Sequence, residues 1–249
     1  MNKILIIGES CTDVFIYGDC NRLNPEAPTP VLNERYENSF PGMAANVLKN
    51  LEMLGLKAVF LTNKEKIVKT RYIDEKSNYI LLRLDKDFEV DPCLIDKDIE
   101  DYELVIISDY DKGFLPQKIL QQILNKSKLS FIDTKKPIDN WIKSASFIKI
   151  NEVEFQNPKN DIRLMNTELS KKLIITLGKK GAVYDKELFK PKKEVLVRDV
   201  AGAGDAFLAA LAGHYYLHKN IKNAIDFANL CASQVVSKRA IAYPEEKLL

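Results

Sequence analysis

Long apolar runs are missing from this sequence. No stretch of eighteen apolar residues occurs among its 249, so no membrane-spanning helix is expected. The opening "MNKILIIGES" has too short an apolar part for a signal peptide and no small-residue cleavage site, and reads as a first buried strand. Histidine is scarce. His214 and His218 stand four apart with no third ligand at metal spacing, which argues against a zinc centre. Four cysteines, at 11, 20, 93 and 231, form no CxxC pair, so the expectation is reduced thiols in a cytoplasmic protein. Charge of one sign is not in excess either: 37 basic against 35 acidic residues leave +2. No nucleic-acid partner is therefore expected, and "NKEK" (63–66) and "KPKKE" (190–194) read as solvated loops.

What is present is a series of short apolar runs: "KILIIG" (3–8), "LVIIS" (104–108), "LSFID" (129–133), "SFIKI" (146–150) and "LIITL" (173–177). Such runs are strands buried on both faces. Helical periodicity falls between them at 44–54, 116–126, 138–144 and 221–238. Alternating strand and helix implies an α/β fold, a doubly wound, mostly parallel sheet flanked by helices. Two segments differ. Residues 13–37 and 66–85 are rich in β-branched and aromatic residues and alternate in part, the first of them with prolines. They read as a small antiparallel β lid inserted into one domain that covers 1–249.

Polar residues follow the strands: Glu9, Asp109, Asp133, Asn151 and Thr176. In an open α/β sheet ligands bind along that edge. The strongest chemical signal is "RDVAGAGDAFLAALAGHYY" (198–216). Gly202, Ala203 and Gly204 allow close backbone approach, and the helix that follows offers unpaired N–H groups to an anion. Asp205 beside such a phosphate cradle is either a general base for a hydroxyl attacking phosphorus or a helix cap; spacing leaves both open. In "KINEVEF" (149–155), Asn151 and Glu154 are three apart and offer oxygens suited to hydrated Mg²⁺; a cap and a surface acid are the alternative. "ITLGKKGAVY" (175–184) reads as strand, glycine turn and strand, shaped to lie against a nucleotide. The first strand runs into "GESCTD", without the glycine spacing of a dinucleotide fold.

Together "DVAGAGD" (199–205), "NEVE" (151–154) and "TLGKKG" (176–181) resemble the signatures of the ribokinase-like (PfkB) sugar kinases. "GESCTDVFIYGDCNRLNPEAPTPVL", "PGMAANVLKNLEMLG", "VKTRYI", "LLRLD" and "ISDYDKGFL" are similar to the heptose-7-phosphate kinase branch. The resemblance implies ATP-dependent transfer of a phosphoryl group to a sugar or sugar phosphate, most closely heptose 7-phosphate, with ribose or fructose 6-phosphate, or a non-catalytic relative, as alternatives. It implies Asp205 as base, the N–H groups of Gly202, Ala203 and Gly204 as anion hole, and Asn151 and Glu154 as the residues orienting Mg²⁺. Asp13, Gly42 and Asn46 match sugar-binding positions, and Asp109, Lys112 and Lys135 the edge where sugar and phosphates meet. Thr176, Gly178, Gly181 and Asn229 match the nucleotide side. Arg71, Lys112 and Lys135 offer positive charge to an acceptor phosphate.

Three departures from the family pattern stand out. Met43 replaces the second glycine of a pair and is expected to narrow the sugar pocket. Ala201 replaces a threonine. A helix and strand expected near residue 63 are lacking, and the segment before the "GAGD" turn is short. The chain ends without the nucleotidyltransferase domain found fused to some heptose kinases. The resemblance also implies a homodimer through the lid, with Phe15, Tyr17, Ile80 and Leu82 expected at the contact.

Overall fold

The computed structural model of the protein describes residues 3–95, 98–193 and 195–248. The lysine run at 190–194 ends on Glu194, which lies outside them. The elements in chain order are β1 (Ile4–Gly8), β2 (Ser10–Leu23), β3 (Pro30–Met43), α1 (Ala44–Met53), β4 (Val59–Leu61), β5 (Ile67–Asp74) and β6 (Tyr79–Lys86). There follow β7 (Leu104–Asp109), α2 (Gln117–Lys126), β8 (Ser130–Thr134), β9 (Phe147–Asn151), α3 (Glu152–Phe155), α4 (Ile162–Asn166) and β10 (Leu173–Thr176). The chain closes with β11 (Ala182–Tyr184), β12 (Glu187–Phe189), α5 (Ala203–His218) and α6 (Ile221–Val236).

Eight strands form the main sheet in the order β12-β11-β10-β9-β8-β7-β1-β4. The six from β10 to β4 run parallel, and β11 and β12 fold back antiparallel at one edge. The parallel strands are apolar because both faces are covered. One face buries Leu5, Ile7, Val105, Ile107, Ile132 and Ile148 in a cluster shared with Leu120, Ile123 and Trp141. The other buries Ile4, Ile6, Ile106 and Phe131 with Val47, Leu51 and the apolar length of α5. Helix α5 is buried continuously from Asp205 to Gly213, which explains why its sequence lacks amphipathic periodicity. The period at 138–144 gives only a single 3₁₀ turn, Asn140–Ile142, capped by Asp139.

The lid is a four-stranded sheet in the order β3-β2-β5-β6. Its two outer pairs are antiparallel and its middle pair, β2 with β5, is parallel. Strands alternate faces, and the alternation here corrects one expectation. Phe15 and Tyr17 point inward and are buried in a cluster with Ile73, Ala240 and Ile241. They dock the lid onto the chain's own C-terminal segment, so they are no contact surface for a second molecule. Ile80 and Leu82, on edge strand β6, are exposed.

Candidate active site

All five strand-end polar residues reach one edge of the sheet. Glu9 follows β1, while Asp109, Asp133, Asn151 and Thr176 lie at or beside the ends of β7, β8, β9 and β10. Glu9 is fully buried, and its carboxylate accepts from the N–H groups of Tyr110 and Lys112 at 2.8 and 3.2 Å. It thereby fixes the loop after β7. Asp109 is held by the Thr134 hydroxyl at 2.5 Å and the Lys136 ammonium at 2.8 Å.

At the centre stands Asp205, in the first turn of α5. Gly202 enters the helix with φ 76°, and a Cβ there would lie 2.7 Å from Asn46 Nδ2; one on Gly204 would lie 3.3 Å from Lys149 Nζ. The absence of side chains thus lets one amide and one ammonium close on the helix mouth. Asp205 Oδ2 accepts from Asn46 Nδ2 at 2.8 Å, and Oδ1 from the Tyr110 hydroxyl at 2.9 Å. Neither donor is a backbone N–H of α5, so Asp205 is not a helix cap. Burial pushes its carboxyl from 3.8 up to about 6, against the opposing pull of Asn46, Tyr110 and the Lys149 ammonium. Burial also drives the Tyr110 phenol well above its ordinary value, with the Asp205 charge adding to the effect. Tyr110 therefore remains a donor to Asp205.

Lys149 lies in mid-strand β9, is 3% exposed and pairs with Asp133 Oδ2 at 2.5 Å. Lys135 pairs with Glu154 and lies 3.9 Å from Asp133. Burial opposes its charge, but Asp133 and Glu154 outweigh that and raise its pKa. Two ammonium groups therefore flank Asp133 at the edge of the helix mouth.

The other candidates take varied positions. Asp13 faces Arg71, at 2.5 Å from Oδ1 to Nη1. Gly42 is required beside it, because a Cβ there would lie 2.1 Å from Asp13 Oδ2. Met43 has φ 56° and ψ −134°, an unfavourable region for a side chain. That side chain is 3% exposed, within the cluster that includes Leu5, Ile7, Cys11 and Ile67. It is part of the core, a correction to the expectation that it narrows the pocket. Lys112 turns outward to Asp87 at 2.5 Å, away from Asp205's partners. Thr176 donates to the Ile150 carbonyl at 3.3 Å. Gly178 lies in an open turn, while Gly181 and Asn229 both bear on the Phe189 carbonyl, the latter donating to it at 2.9 Å. These last two brace the β11–β12 hairpin.

Asn151 and Glu154 form a reciprocal capping box on α3, each side chain accepting from the other's backbone N–H at 2.8 Å. The second Glu154 oxygen is taken by Lys135. With these oxygens already engaged, the pair fits Mg²⁺ held through its water shell rather than by direct coordination. Among the described residues no group of three or more His, Cys, Asp and Glu is placed to hold a metal.

A family model described as "pfkB family carbohydrate kinase" matches residues 83–248. The chain belongs to the pfkB carbohydrate kinase family. Among curated relatives, it is 30% identical to the bifunctional protein HldE of a Nitratiruptor species over 285 residues, covering 95% of this chain and 62% of that protein. It is 32% identical to the HldE of Helicobacter acinonychis (strain Sheeba) over 299 residues, covering 97% and 64%. The chain thus spans less than two thirds of the length of these relatives. Among solved structures it resembles Thermotoga maritima ribokinase (TM-score 0.73, 17% identity, 97% and 95% of the two chains). It also resembles Escherichia coli phosphofructokinase-2 in complex with potassium (TM-score 0.72, 14% identity, 98% and 96%). At these identities the likeness establishes the ribokinase-like fold of this pfkB chain.

Tyr110 and Lys149 escaped the sequence reading. Tyr110 follows the singled-out Asp109 directly, and Lys149 is the lone charge between Ile148 and Ile150 in an otherwise apolar strand. A buried strand rarely carries a lysine without a partner or a task.

Because the folded pKa of Asp205 lies above its unfolded value, ionising it costs stability. The cost is absent below about pH 3 and grows until pH passes about 6, with an upper bound near 3 kcal/mol for the shift from 3.8 to about 6. Asp205→Asn is therefore expected to be more stable than wild type by about 1–3 kcal/mol at about pH 8, and by much less at about pH 4. Urea unfolding at both pH values measures this difference.

Proposed function

We propose that the protein transfers the γ-phosphoryl group of ATP to a hydroxyl of a sugar phosphate, with heptose 7-phosphate the favoured acceptor. The observation that carries this reading is the buried Asp205 carboxylate at the mouth of α5, held by two side-chain donors and raised to about 6. A carboxylate held there without a task would be a net cost, since burial outweighs its donors. That basicity leaves it mostly ionised near neutrality yet able to accept a proton. The heptose preference rests on the match to the HldE proteins over 95% of this chain.

The acceptor hydroxyl approaches Asp205 and gives its proton to the carboxylate as its oxygen bonds to phosphorus. The bond from phosphorus to the bridging oxygen breaks, and ADP leaves with that electron pair. Asn46 and Tyr110 hold the carboxylate in line throughout. The N–H groups of Gly202, Ala203 and Gly204 and the Lys149 ammonium stabilise the charge that builds on the phosphoryl oxygens. Asp13 and Asn46 hold sugar hydroxyls. The strand end at Thr176, the open turn at Gly178 and the hairpin that Gly181 and Asn229 brace form the nucleotide side. Asn151 and Glu154 would hold Mg²⁺ through water, and when bound it neutralises charge on the phosphates.

We also infer a homodimer through the outer face of the lid. The register there lines up two rows, Val14–Thr70–Leu84 and Ile16–Tyr72–Leu82, each with an aliphatic residue at both ends. The β6 ends of both rows are exposed, Leu82 to 57%. An open sheet edge with apolar side chains favours association.

Two measurements test these readings. ADP release, assayed with ATP, Mg²⁺ and a panel of sugars and sugar phosphates, is expected with heptose 7-phosphate. Its kcat/KM should fall as pH drops below about 6, since a protonated base accepts nothing; Asp205→Asn should lose about 10²–10⁴ in rate while keeping ATP affinity within a few-fold. Release by the mutant at the wild-type rate would remove Asp205 from the chemistry. For the assembly, light scattering should give twice the 28.4 kDa of one chain and half that mass for Leu82→Asp; a wild-type monomer would refute the dimer.

A further inference from the structure

Asn46, one of the two donors to Asp205, is itself held from behind. Asn50 lies one turn further along α1, so the two side chains share a face of the helix. It is fully buried, among positions that also include Val47 and Leu51. Its Nδ2 donates to the Asn46 carbonyl at 2.8 Å and to Asn46 Oδ1 at 3.0 Å. Among the described residues nothing donates to the Oδ1 of Asn50. Asparagine is a poor helix former in mid-helix, and a buried amide oxygen without a donor costs stability. A leucine there would match Leu51 without either cost, so packing does not account for the residue.

Chemistry fixes the direction of these bonds. An ionised Asp205 only accepts, so the end of Asn46 that faces it at 2.8 Å is Nδ2. Asn46 Oδ1 is then turned back to Asn50, whose Nδ2 meets it. The linked amides polarise one another, which strengthens the N–H that reaches Asp205. The link matters most once Asp205 has taken up a proton. A free Asn46 amide could then turn over, accept from the new carboxyl hydroxyl through Oδ1, and so favour the acid form. With Asn50 in place, that turn sets two NH₂ groups against each other and breaks the bond to Oδ1. Resting on the proposed kinase reading, we infer that Asn50 is a positioning residue, which locks the Asn46 amide with its N–H toward Asp205 so that the base returns to its ionised form after each proton transfer. Its side-chain hydrogen bonds reach Asn46 alone, so Asn50 acts through that residue.

The test compares Asn50→Leu, Asn46→Ala and the double variant in the full chain. The Asp205 carboxyl is followed by carbon NMR across pH without substrate, and ADP release is measured with the panel of sugars and sugar phosphates. Wild type should titrate at about 6. Each single variant should titrate higher, because each weakens or removes a bond that favours the ionised form. The double variant should titrate where Asn46→Ala does, since Asn50 has no other route to the carboxyl. Tyr110, Lys149 and Asp133 also act on that carboxyl and are unchanged in all three proteins. In Asn50→Leu, kcat should fall about 10-fold while the KM for ATP stays within about twofold. Thermal unfolding controls for folding, and Asn50→Ala makes the same comparison if the leucine variant does not fold. A titration unmoved in the Asn50 variants, an unchanged kcat, or a double variant whose shift is the sum of the two singles would overturn the assignment. If no acceptor is turned over by wild type, yet the variants shift the titration in this non-additive way, the kinase reading fails while the amide lock stands.

Discussion

The hydrogen bonds from Asn46 and Tyr110 to the buried Asp205 carboxylate join three parts of the chain at one point. Asn46 belongs to the first helix, Tyr110 to the loop after β7, and Asp205 to the start of α5. Each donor depends on a feature further out. Asn46 has room only because position 202 is glycine. Tyr110 is placed by a loop whose N–H groups are fixed by the fully buried Glu9. The buried carboxylate is thus held by groups spread through the chain, and stability is given up to ionise it there. Sites arranged for chemistry commonly hold such unfavourable charges.

Charge is balanced locally around this point. Lys149 and Lys135 flank Asp133 on the side of the main sheet, and Arg71 faces Asp13 on the side of the lid. Paired charges therefore lie on both layers of the site, with Lys149 acting on Asp205 itself. Most of these charges are thus paired across the site, in keeping with the nearly even charge of the whole chain. The balance also explains why several expected contacts fall elsewhere. Lys112 is neutralised by Asp87 at the surface, and Asp109 is committed to Thr134 and Lys136.

The five buried strands and three of the four helical segments were legible because burial on two faces leaves an apolar run and burial on one leaves a period. The glycine turn and Asp205 were legible because few structures need small residues immediately before a buried acid. That Asp205 does not cap its helix was not legible, since this depends on donors at positions 46 and 110, distant in sequence. The faces of the lid were misread for a related reason. Alternation separates Phe15 and Tyr17 from Val14 and Ile16, but only the docking of Ala240 and Ile241 decides which set is inside. Lys149 was hidden by the apolar residues on either side, and Met43 by a family pattern that locates the backbone but not the direction of the side chain.

The central claim is that Asp205 is a buried carboxylate with raised basicity, held ready by two side-chain donors. Its carboxyl can be followed directly by carbon NMR across pH in ¹³C-aspartate-labelled protein, with Asp205→Asn identifying the signal. The account predicts titration at about 6, moving further upward in Tyr110→Phe, which removes one of the two donors that favour the ionised form. A carboxyl that titrates near its ordinary value of 3.8, indifferent to Tyr110, would contradict it.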